Sequence, residues 1–64
     1  MTQEEKLIQN YFGSDLDVYE ARRVRRFKQS SKKHGLNTKE VELLFLYFIA
    51  LSMPLSEALE SVKL

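Results

Sequence analysis

Apolar positions along this chain fall into four groups, and their spacing differs from group to group. Leu7, Ile8, Tyr11 and Phe12 share one face of a short helical turn that Gly13 stops. Ala21, Val24 and Phe27 recur every third residue through a polar stretch and form a narrow stripe. From Val41 to Leu51, ten of eleven residues are apolar and only Glu42 interrupts. A helix of that composition has no polar face and is expected to be buried on all sides. Leu55, Ala58, Leu59 and Val62 close the pattern at i, i+3, i+4 and i+7. No stretch alternates with period two. The pattern predicts an all-α fold, a compact bundle of four short helices over residues 3–12, 18–34, 38–51 and 54–63, with the apolar third helix at its centre. Residues 1–64 are read as a single helical domain.

Local chemistry marks the helix ends. Thr2 with Glu5, Asp17 with Glu20 and Asn37 with Glu40 have capping-box spacing, in which the first side chain accepts an N–H that the helix leaves unpaired and the second reaches back. Leu16 is placed to staple onto Ala21, and Leu36 onto Val41. Gly35 suits the left-handed residue that ends the second helix. Ser52, Met53 and Pro54 interrupt the third, since proline lacks the donor a helix interior needs but fits a first turn.

Composition narrows the function classes. The absence of cysteine removes disulfides, Cys-ligated zinc, iron–sulfur clusters and thiol nucleophiles, and it favours a reducing, cytoplasmic setting. The polar, acidic start is unlike a secretory signal. The apolar run is about half the ~20 residues a membrane span requires. No catalytic, metal or cofactor motif is present. His34 is the sole histidine and sits at a predicted helix C-terminus, where a cation suits the helix dipole; a capping role is the expectation. Glu40 and Glu42 project about 200° apart and do not form an acid pair. The chain is therefore expected to be non-enzymatic, with no cofactor and no small-molecule substrate.

Two surfaces remain for binding. The apolar third helix, through Phe45, Tyr47, Phe48 and Ile49 with Leu64, is expected to contact a protein partner or a second copy. Seven of the ten Lys and Arg residues lie between Arg22 and Lys33, so a net charge of +1 conceals a basic second helix. Arg22, Arg25, Arg26, Lys32 and Lys33 turn away from the apolar stripe and are the candidates for nucleic acid or an acidic partner, the alternative reading. Phe27 is expected to point inward, which leaves that strip without an aromatic for base stacking.

The stretch from Leu36 through Tyr47, continuing over Ser56, Glu57, Ala58, Leu59 and Val62, resembles the first two helices of the helix-turn-helix in sigma-factor region 4 and phage small terminase subunits. Val62 stands where that turn carries Gly. The sequence reaches Leu64 before a recognition helix, so groove reading in that geometry is not expected. Leu7 to Phe12, a loop, a second helix and Lys32 to Leu36 are similar in spacing to the sporulation histidine-kinase inhibitors, helical hairpins that bind a kinase. Both resemblances imply a small bacterial or phage-type regulator that acts by contact.

Overall fold

The computed structural model describes residues 2–63, and these form helices α1 (Gln3–Phe12), α2 (Val18–Lys33), α3 (Thr38–Leu44) and α4 (Leu55–Lys63). A π-helical segment, Phe45–Ala50, continues α3 without a break, because Leu44 and Phe45 both keep helical backbone angles. Helix 3 is used below for α3 and this segment together. The described residues contain no strand.

Capping residues set the starts as expected. Asp17 Oδ1 accepts the Glu20 N–H at 2.7 Å while Glu20 Oε1 accepts the Asp17 N–H at 3.1 Å. Asn37 and Glu40 make the same exchange at 2.9 and 3.1 Å. At α1 one half of the expected box is seen, with the Thr2 hydroxyl accepting the Glu5 N–H at 3.3 Å. The end of α2 is a Schellman turn: Gly35 takes φ 59°, the Leu36 N–H reaches the Ser31 carbonyl at 3.2 Å, and the Gly35 N–H reaches the Lys32 carbonyl at 3.3 Å. Glycine is needed there because a Cβ makes this backbone conformation costly.

Helix 3 lies at the centre. Val41, Leu44, Phe45, Phe48 and Ile49 are all buried, and they meet Ile8 of α1, Val24 and Phe27 of α2, and Ala58 and Val62 of α4 in one core. Phe45 packs edge-on against Phe27 at 5.5 Å and against Tyr11 at 5.6 Å between ring centroids. The Gln3 side-chain amide ties α1 to α3, donating to the Thr38 carbonyl at 2.9 Å and the Glu42 carboxylate at 3.3 Å.

Two expectations about faces are corrected. Helix 3 is not buried all round, since Glu42, Leu46 and Leu51 remain exposed. Three short neighbours cover the side at i, i+3, i+4, i+7 and i+8 and cannot enclose the rest. Ala21, expected inside, is exposed, and so is its intended partner Leu16. The inward face of α2 is centred on Phe27, with Val24, Ser30 and Ser31 buried beside it, and Ala21 lies about 120° away from Phe27 at 100° per residue.

Where helix 3 ends, its carbonyls find partners of several kinds. The Leu46 carbonyl takes the Leu51 N–H at 2.9 Å, the five-residue bond that defines the wider winding, and the Tyr47 carbonyl takes the Met53 N–H at 3.0 Å. Ser52 permits the second bond by adopting φ 57°, a conformation usually left to glycine.

Candidate functional site

Arginine and lysine on α2 divide by position around the helix. Arg22, Arg25, Lys28 and Lys32 stand on the outer side, together with the exposed Val18 and Ala21. Arg26 and Lys33 lie on one flank, where they line a groove of about 500 Å³ that α2 forms with α4. All six are exposed, and α2 carries no carboxylate beyond Glu20. The helix is consequently polar along its length, with Asp15, Asp17 and Glu20 around its start and the cations downstream.

Arg23 departs from the rest. It is half-buried, and its Nη2 donates to the Phe48 carbonyl and, at 3.5 Å, to the Met53 carbonyl. Its guanidinium lies 4.2 Å from the centroid of the Phe48 ring, within cation–π range. This cation therefore closes the C-terminal end of helix 3, meeting the Phe48 carbonyl in its last turn at the negative end of the helix dipole. The run of four arginines gives no hint of it, since charge alone predicts an outward side chain.

Tyr19 supplies the aromatic that the sequence pattern lacks. It is 63% exposed at the start of α2, with its hydroxyl 3.5 Å from Arg23 Nη1 and its ring 5.7 Å from the Arg23 guanidinium. With Tyr11, Asp17, Glu20, Arg23 and Ala50 it borders a second cleft, of about 280 Å³, between α1, α2 and the end of helix 3.

The four residues expected to form a protein contact are mostly turned away from solvent. Phe45, Phe48 and Ile49 are core residues, and Tyr47 is half-buried. In the single chain Phe45, Phe48 and Ile49 present little surface, because they occupy the i, i+3, i+4 positions around which the other helices pack. The apolar groups left outside are Tyr11, Leu46 and Leu51, exposed by 55, 46 and 60%, with Leu16, Val18 and Tyr19. Leu64 lies outside the described residues.

Among the described residues, no helix is long and apolar enough to cross a membrane, and no three His, Cys, Asp or Glu side chains are grouped to hold a metal ion. His34 is exposed at the end of α2 and lines the groove beside α4. Comparison of the chain with models of known families, with curated proteins and with solved structures found no match.

Proposed function

We propose that this is a non-enzymatic regulator that binds nucleic acid by its phosphate backbone, using the exposed basic side of α2. One observation carries the reading: Arg22, Arg25, Arg26, Lys28, Lys32 and Lys33 are all exposed on one helix, with no carboxylate among them. From Arg22 to Lys33 this strip runs about 16 Å at 1.5 Å per residue. One strand of a duplex places about five phosphates along that length at 3.4 Å each. Arginine's planar fork suits phosphate oxygens. The chemistry favours grip over sequence reading, because phosphate contacts carry no base information directly.

Fluorescence anisotropy with labelled duplex and single-stranded oligonucleotides across a salt series tests this. The native protein should bind with affinity falling steeply as salt rises, and Arg22→Gln, Arg25→Gln and Lys32→Gln together should flatten the logarithmic salt slope by up to about three contacts. Absence of binding at low salt, or a slope unchanged in the triple variant, refutes the reading.

A second reading has its own observation. Tyr11, Tyr19, Leu46 and Leu51 remain exposed, and apolar side chains of this size left in solvent are available for a protein contact or for self-association. Sedimentation over a wide dilution range distinguishes the two, since apolar association persists at high salt where phosphate binding is lost.

A further inference from the structure

We infer that the groove between α2 and α4 seats one backbone phosphate of the nucleic-acid ligand and acts as its anchor point, an assignment that rests on the function proposed above. Arg26, Lys33 and His34 reach the groove from α2, and Ser30, only 7% exposed, lines it beside them. Leu55 and Ser56 line the opposite side at the start of α4. That start matters because the first intrahelical bond runs from the Ala58 N–H to the Pro54 carbonyl at 2.9 Å, so the N–H groups of Leu55, Ser56 and Glu57 have no intrahelical acceptor. The other helices begin with the oxygen-bearing side chains of Thr2, Asp17 and Asn37, which accept such an N–H. Proline has no side-chain oxygen to do so. Arg26 and Lys33 on one wall thus stand across the groove from Leu55 and Ser56 in the first turn of α4, and cations beside the start of a helix suit an oxyanion.

The sign of the groove supports this reading. Glu57, the acid in the first turn of α4, is not among the residues that line it, whereas the cleft beside Tyr19 sets Asp17 and Glu20 against a single cation, Arg23, that is already held by the Phe48 carbonyl. The row of cations continues on the same helix with the exposed Arg22, Arg25 and Lys32, so a strand anchored at Arg26 and Lys33 meets further cations along α2. A chain of phosphodiesters uses that continuity, and an isolated phosphate does not.

The test compares two pairs of substitutions that each remove two positive charges from the full chain. Arg26→Gln with Lys33→Gln should weaken oligonucleotide binding by more than about tenfold, because it removes contacts that are hydrogen-bonded as well as electrostatic, while Arg22→Gln with Arg25→Gln should weaken it less. Lys33→Glu alone, at an exposed site away from the core, should reproduce most of the groove effect if the Arg26 change disturbs folding. In an amide-shift titration, oligonucleotide should move the Ser56 and Glu57 resonances, and these shifts should vanish in the groove variants. Equal losses in the two pairs, or shifts confined to the outer side of α2, would overturn the anchor assignment. If inorganic phosphate moves the Ser56 and Glu57 resonances but no oligonucleotide binds, the failure lies in the nucleic-acid reading, and the ligand class assigned to the groove falls with it.

Discussion

Replacing Arg23 by methionine separates the arginine that holds the fold from those that face solvent. The substitution keeps a long, flexible stem and good helix propensity but removes the group that meets helix 3. A hydrogen bond to a charged donor contributes about 1.5–3 kcal/mol, and only the Phe48 carbonyl is credited here because the Met53 contact, at 3.5 Å, is at the limit of bonding distance. The guanidinium over the Phe48 ring adds about 0.5–2 kcal/mol. Water can reach a half-buried site and recover part of the loss at the freed carbonyl, so the net cost should be about 2–3 kcal/mol. An unstapled core of this size has a total stability of roughly 3–5 kcal/mol, which makes that loss readily visible. Urea denaturation followed by far-UV circular dichroism should show a clearly lower midpoint for Arg23→Met. Arg22→Met, exposed one residue earlier, should lie within about 0.5 kcal/mol of the parent. Lysine at position 23 should recover only part of the difference, since an ammonium keeps the charge at the helix end but loses the planar fork. If Arg23→Met and Arg22→Met unfold at the same urea concentration, Arg23 is an ordinary surface charge and its assigned role is wrong.

Two further substitutions probe the core. Ser31 is buried with its hydroxyl unpaired, so Ser31→Ala should stabilise the protein by about 1 kcal/mol, through relief of an unsatisfied group and gain in helix propensity; a lower denaturation midpoint would contradict this. Phe48→Ala should cost about 3–5 kcal/mol, enough to unfold the chain, because the ring is 1% exposed and also lies under Arg23; a variant with native melting behaviour would remove Phe48 from the centre of the core.

Helix boundaries were the most legible part of the fold. Asp17, Glu20, Asn37 and Glu40 act within a single turn, so their chemistry can be read without knowing what packs where. The orientation of helix 3 was less accessible, for a reason visible in its composition. A segment with Leu43, Leu44, Phe45, Leu46, Tyr47, Phe48 and Ile49 in succession has no polar face to indicate which side turns inward. Packing against α1, α2 and α4 makes that choice, and it leaves Leu46 outside. The π winding is likewise a tertiary outcome, as nothing in Phe45–Ala50 dictates a wider turn. On α2 the stripe of Ala21, Val24 and Phe27 was partly misleading because the inward face also accepts Ser30, Ser31 and half of Arg23. The basic candidates were legible as a group, but their division into an outer ridge and the groove beside α4 depends on where α4 packs. Tyr19 lies one turn before the basic run begins at Arg22, so its closeness to Arg23 shows only once the side chains are placed.

The lengthwise polarity of α2 also has a kinetic consequence. A chain of net charge +1 would ordinarily meet a polyanion with little long-range attraction. On α2, however, the cations from Arg22 to Lys33 have no carboxylate among them, so that face of the molecule can attract and orient a polyanion locally during approach. That orienting field is screened over a Debye length of about 8 Å at physiological salt. Encounters in dilute buffer should therefore be steered, with the basic end of α2 arriving first, and those at higher ionic strength should become orientationally random. The association rate would then respond to salt far more strongly than the isoelectric point suggests.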